Sequence, residues 1–309
     1  MLLAVLYRGM NLTVVAETLR DIDLPWLVVS LGMIAPITML RAIRFQWVAP
    51  AGMLGAGEAL RITLVATALN AFVPAKAGDL IKSYFVAKRG TSAGVAVAII
   101  VYERLCDLCG LISWCMVAWA LGAPQAAAVP AALWPLLGAV GIACALLTSS
   151  EQAANLGCTV MARVLPGRLV VKVRHLAAGW PALLQLLEGR RSRVMFFSVF
   201  LWLVHLVQIW MFTVALSIQI PFLACVGLSA IALMAGQLPL TFAGLGARDV
   251  ALVVLLRGYT TPEAAAALGL LIATRNLLPP LAAIPIMRPY VAAALGDARR
   301  WRDGIPRTA

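Results

Sequence analysis

Charge is what this sequence has least of. Aspartate, glutamate, lysine and arginine make up 12% of its 309 residues, where a soluble domain carries about 25%. The windows 108–150 and 194–247 contain none of the four. Each is longer than the ~20 apolar residues that one helix needs to cross a bilayer. With hydrophobic residues at 62% and a mean hydropathy of +0.94, these gaps exclude a soluble enzyme and identify an integral membrane protein. The apolar runs do not alternate, which excludes a transmembrane β-barrel.

Metal-ligating residues are scarce as well. There are two histidines, and of the six cysteines only Cys106-x-x-Cys109 has a suggestive spacing. That pair lies in an apolar helix with no second cysteine pair, so it reads as small buried hydrophobes, and no metal or cofactor is expected. H-E-x-x-H, G-x-S-x-G and the P-loop lysine motif are all missing; no enzyme activity is expected, and transport would draw on a gradient, a partner or downhill exchange. Met1–Leu6 is too short and lacks the basic start of a signal peptide.

The charge that is present is unevenly placed. A net +12 sits mostly in loops between spans, where it sets topology and argues against nucleic acid binding. Five full spans are expected, at about 24–47, 93–120, 130–149, 194–216 and 263–287. Arg41 and Arg44 end the first; Lys76, Lys82, Lys88 and Arg89 precede the second. With the basic loop 151–193 and the basic tail 288–309, these regions are assigned to the cytoplasm, and the C-terminus with them. The loop interleaves apolar and basic residues and reads as amphipathic helices on the inner leaflet. Residues 1–23 form an external segment or the remainder of a truncated first span. The whole, 1–309, reads as one membrane domain.

This topology constrains two interrupted stretches. Asn70-Ala-Phe-Val-Pro74-Ala-Lys76-Ala-Gly78-Asp79-Leu-Ile-Lys82 lies within residues 50–90, which begin and end on the cytoplasmic side. Gln237-Leu-Pro239-Leu-Thr241-Phe-Ala-Gly244-Leu-Gly246-Ala-Arg248-Asp249 lies within residues 221–260, which begin and end outside. Both therefore enter and return, as broken hairpins hinged at Pro74, Gly78 and Pro239, although residues 54–90 could instead form two full spans. Unwound backbone at bilayer depth is tolerated only where protein or a wet cavity covers it. Paired interruptions in two halves of a chain point to an inverted repeat and a substrate site. The fold class is thus all-α and polytopic, with two re-entrant hairpins entering from opposite faces.

Candidate site residues follow from charge placed where it is costly. Gly244, Gly246, Arg248 and Asp249 open a helix whose amides and guanidinium suit an anion. Lys76, Lys82 and Asn70 stand in the first hairpin, and Arg275 lies within the last span. Glu103 and Asp107 share a helix face at i, i+4; with Arg104 and Asp79 they form an ion-pair or gating group. Alternatives are a structural lock for that group, a local Arg248–Asp249 pair, and a topological role for the lysines. His205 and Gln208 read as hydrogen-bonding contacts between helices.

In order, Asn70-x3-Pro74-x3-Gly78-Asp79-x2-Lys82, Glu103-Arg104-x2-Asp107 and Pro239-x4-Gly244-Leu-Gly246-x-Arg248-Asp249 resemble the motifs of the lysylphosphatidylglycerol synthase transmembrane region, or flippase-like domain. The likeness runs from about Leu24 to Pro289. Lys82 stands where the family often has Arg, and Asp249 where it often has Glu. A soluble aminoacyl-transferase domain is not seen, so lipid lysylation is not carried over. The resemblance implies a bacterial inner-membrane protein that moves an anionic or phosphate-bearing lipid between leaflets. The rival reading is a non-transporting scaffold or accessory subunit for an enzyme of envelope lipid or glycan synthesis. A third is an intramembrane lipid-modifying enzyme. Membrane lipids are the expected partners; a partner enzyme and self-association stay open.

Overall fold

The computed structural model describes residues 11–72, 78–122, 129–164, 167–237 and 246–302. Among them every regular element is helical. In chain order these are α1 (Leu12–Arg20), α2 (Leu24–Gly32), α3 (Ile34–Val48), α4 (Ala56–Phe72), α5 (Leu80–Lys88), α6 (Ala93–Ala120), α7 (Leu133–Ser149), α8 (Glu151–Val164), α9 (Gly167–Leu186), α10 (Arg191–Ala215), α11 (Phe222–Ala235), α12 (Ala247–Leu256) and α13 (Pro262–Arg302). Side-chain caps define several starts: Asp23 accepts from the Trp26 amide at 3.1 Å, and Ser92 from the Val95 amide at 3.3 Å. Each satisfies one of the orphan donors of a first turn.

Three helical stretches are long and apolar enough to cross a membrane: Leu24–Val48, Arg191–Ala215 and Pro262–Asp297. A fourth results if Leu133–Ser149 is joined to Glu151–Met161 across a 116° bend. Three to four candidate spans therefore stand against the five expected. The difference has two physical sources. α6 has 28 residues, but Glu103, Arg104 and Asp107 interrupt its apolar character at mid-length. α7 has 17, about 26 Å at 1.5 Å per residue, against a hydrocarbon core of ~30 Å. The tail expected from residue 288 instead continues α13 through Pro279, Pro280, Pro285 and Pro289 to Arg302.

Both interrupted stretches are pairs of short helices. α4 and α5 have 17 and nine residues; α11 and α12 have 14 and ten. No arm alone reaches ~30 Å at 1.5 Å per residue. The breaks between the arms, with Pro74, Lys76, Pro239 and Gly244, lie outside the described residues. At the edges of those breaks two glycines show why no other residue stands there. Gly246 caps α12 with φ +105°, a conformation side chains resist. At Gly78 a Cβ would lie 2.5 Å from the backbone nitrogen of Asn70, so the start of α5 can approach α4 only with hydrogen in that place.

The helices build two apolar cores. One gathers α4, α5, the first half of α6, α9 and the far end of α13; the other gathers α10, α11, α12, the second half of α6 and the start of α13. Each long helix thus contributes to both cores: α13 packs along α4, and α6 along α11. Small residues make these approaches close. Ala224, Gly227, Ser229, Ala230 and Ala232 of α11 are buried, as are Ala265, Ala266 and Ala267 of α13, which is how helices associate where lipid removes the hydrophobic drive. The polar middle of α6 and of α13 falls between the two cores.

Candidate functional site

Ten ionisable side chains meet in that middle layer. Asp107 of α6 accepts from Arg44 of α3 at 2.6 Å and from the indole N–H of Trp202 of α10 at 3.0 Å. Arg44 Nε also stands 3.5 Å from Glu103, whose other oxygen takes the ammonium of Lys82 at 3.0 Å. Arg104 bridges the two halves of this group, 3.1 Å from Asp79 and 3.3 Å from Asp107. The Asn70 amide donates to Asp79 at 3.0 Å. The result is a chain of alternating charge running from α4 and α5 through α6 to α3.

The second hairpin supplies a separate pair. The Asp249 carboxylate caps α12 by accepting from the Gly246 amide at 2.9 Å. It also takes Arg248 through Nε at 2.9 Å and Nη2 at 2.5 Å. Arg248 Nη2 donates to the Gly269 carbonyl of α13 at 3.0 Å as well. Both side chains are buried, so this two-pronged contact fixes the start of α12 to α13.

A cavity of about 140 Å³ opens between these groups, well above the ~10–15 Å³ that one water needs. Its ionic walls are Arg41 and Arg44 of α3, Arg104 and Asp107 of α6, Arg248 of α12 and Arg275 of α13. Trp202, His205 and Gln208 of α10 complete one side. Across the layer, six cations (Arg41, Arg44, Lys82, Arg104, Arg248, Arg275) face four carboxylates (Asp79, Glu103, Asp107, Asp249). Among the described residues Arg41 and Arg275 stand in no ion pair and make no hydrogen bond, and Nη1 of Arg275 is buried without an acceptor. Arg248 and Arg41, both cations, line the same cavity as Arg275. An anion with several acceptor oxygens would suit both guanidinium forks.

The expected residues separate accordingly. Arg248, Arg275 and Asn70 line the cavity together with Arg104 and Asp107. Lys82 does not; it is buried against Glu103 and over the Phe45 ring. Asp249 and Gly246 hold Arg248 from behind. Asp79 and Glu103 are bound to cations. Gln208 does join helices, donating to the Ser30 carbonyl of α2 at 2.8 Å. His205 bonds within its own helix, to Leu201, and borders the cavity instead. Among the described residues no cluster of His, Cys, Asp and Glu could hold a metal.

Arg41 and Arg44 are the residues that sequence reasoning placed elsewhere. Assigned to the cytoplasmic end of the first span, they lie inside the fold because α3 continues to Val48. Ile34, Ile37, Thr38, Arg41 and Arg44 recur at helical spacing along the face that lines the cavity; that stripe, continued by buried Phe45 and Val48, was the signal for an inward-facing arginine.

No curated protein matches the sequence. The description "Lysylphosphatidylglycerol synthase TM region" matches residues 1–284, a stretch that contains both interrupted stretches and the residues that line the cavity. This is therefore a membrane protein, and the chain belongs to the lysylphosphatidylglycerol synthase TM region family.

Proposed function

We propose that this protein moves an anionic, phosphate-bearing lipid between the leaflets of the bacterial inner membrane and catalyses no chemical reaction. The headgroup passes through the arginine-lined cavity, while the acyl or prenyl chains remain in lipid. The observation that carries this reading is the pair Arg41 and Arg275, which line the cavity and stand in no ion pair among the described residues. An unpaired ion inside a low-dielectric fold costs several kcal/mol. The same fold gives carboxylate partners to Arg44, Lys82, Arg104 and Arg248. Two guanidinium groups left facing a void are what a phosphate would offset, and their planar forks match its oxygens.

The rest of the architecture supports transport over static binding. The arms α4/α5 and α11/α12 read as re-entrant hairpins entering from opposite faces, and the exchange of α6 and α13 between the two cores reads as an inverted repeat. Folds of that kind rock one half against the other around a central site. Arg104, shared between Asp79 beside α5 and Asp107 of α6, is placed to change partner as the first hairpin moves. The C-terminal end of α13 would then lie on the cytoplasmic side.

The test is lipid scrambling in proteoliposomes by wild type, Arg41→Gln and Arg275→Gln. The reading expects wild type to move a fluorescent anionic phospholipid, and each variant to lose most of that movement while remaining folded. Equal movement by all three would refute the site. A wild type that moves no lipid but co-purifies with an envelope-synthesis enzyme would favour an accessory role.

A further inference from the structure

The cavity wall contains one imidazole, and the transport reading above leaves it without a part. His205 sits on α10 one turn below Leu201, only 7% exposed, with its ring 4.8 Å from that of Trp202. Its Nδ1 lies 2.9 Å from the Leu201 carbonyl oxygen. A carbonyl can only accept, so Nδ1 carries the hydrogen and Nε2 is the atom that gains or loses a proton. Among the described residues Nε2 has no protein partner.

We propose that His205 couples movement of the phosphate-bearing lipid to movement of a proton. As the phosphate enters, a proton from water bonds to Nε2; as the phosphate leaves, that N–H bond breaks and the proton departs with it. This rests on the anion site proposed above. The groups around the imidazole make the coupling electrostatic. Arg41 and Arg44 face the cavity from α3, Arg104 and Asp107 from α6, Arg248 from α12 and Arg275 from α13. Of the remaining neighbours of α10, α2 carries no ionisable side chain and α11 only the Cys225 thiol, which is turned to Ser229 at 3.7 Å. A phosphate seated among these cations brings a negative charge to the imidazole, and a nearby opposite charge favours the protonated form. Linkage makes the effect reciprocal: whatever the anion does for the proton, the proton does for the anion. Imidazole is the side-chain group able both to take up and to release a proton under mild conditions, so it is the cavity group suited to carry one.

Two measurements decide it. The first is calorimetric binding of glycerophosphoglycerol to the purified full chain, in buffers of different ionisation enthalpy at pH 7. This phosphodiester does not itself titrate near neutrality. Wild type should take up a fraction of a proton per ligand and bind roughly 5–150-fold tighter when His205 is protonated. His205→Gln should bind with no uptake. Binding without uptake in wild type, or the same uptake in the variant, overturns the coupling but leaves the anion site standing; no binding at all overturns both. The second needs no variant. In liposomes loaded with a pH-sensitive dye, anionic lipid added to one leaflet should change the internal pH only when the protein is present. A constant internal pH during lipid movement would overturn the coupling.

Discussion

Removing Asp107 should be among the most damaging single changes in the fold. Its carboxylate takes Arg44 at 2.6 Å and Trp202 at 3.0 Å, and stands 3.3 Å from Arg104. Asp107→Leu leaves Arg44 with a 3.4 Å bond to the neutral Ser198 hydroxyl and the 3.5 Å approach to Glu103, whose charge Lys82 already shares. Breaking a buried pair from one side costs about 3–5 kcal/mol. At 1.4 kcal/mol per tenfold, that is roughly two to three and a half orders of magnitude in the unfolding equilibrium. Replacing Arg44 as well removes the stranded charge. Arg104 keeps Asp79, Glu103 keeps Lys82, and the double variant Arg44→Leu/Asp107→Leu should be more stable than the two single losses predict, by about 0.5–3 kcal/mol. The assay is reversible unfolding in mixed micelles followed by tryptophan fluorescence, run as a double-mutant cycle. Strict additivity would refute the claim that the two residues stabilise the fold as a pair.

Other outcomes follow from the same geometry. Gly246→Val forces a β-branched residue to φ +105° and should cost about 1–3 kcal/mol, read as a lower melting temperature. Gly78→Ala would place a methyl 2.5 Å from backbone at Asn70; reduced folded yield is expected, whereas Gly57→Ala, in α4 with nothing within 4 Å, should be mild. Tyr84 donates to Asp297 at 2.5 Å at a partly exposed junction of α5 and α13; Tyr84→Phe should cost only about 0.5–1.5 kcal/mol. Native-state maleimide labelling should modify Cys158 well before Cys106, Cys115 or Cys225, because only the first is not buried. Fast labelling of Cys106 would contradict the packing around Asp107.

The all-helical class and the polar centre were legible because they depend on local pattern. Glu103 and Asp107, one turn apart, had to share a face wherever their helix lay, and a Gly-rich segment before Arg248-Asp249 had to open a helix. Their partners were not legible. Arg44 lies 63 residues from Asp107 and Lys82 lies 21 from Glu103, and such pairings follow from how α3, α5 and α6 pack. Arg41 and Arg44 failed for a different reason. Basic residues near the end of an apolar run carry the same signature whether they mark a cytoplasmic boundary or face an internal cavity. Only the continuing apolar stripe to Val48 separates the two. Three to four candidate spans against five expected reflect α6 and α7, where three central charges and a 17-residue length weaken the apolar signal.

The central claim is that a lipid phosphate occupies the cavity between Arg41 and Arg275. It is tested most directly by a structure of the protein in nanodiscs of anionic phospholipid, at a resolution that shows headgroups. The account predicts phosphate density bonded to both guanidinium groups, with acyl chains leading outward into lipid. A cavity holding water alone, with lipid ordered only on the outer faces of the helices, would contradict it.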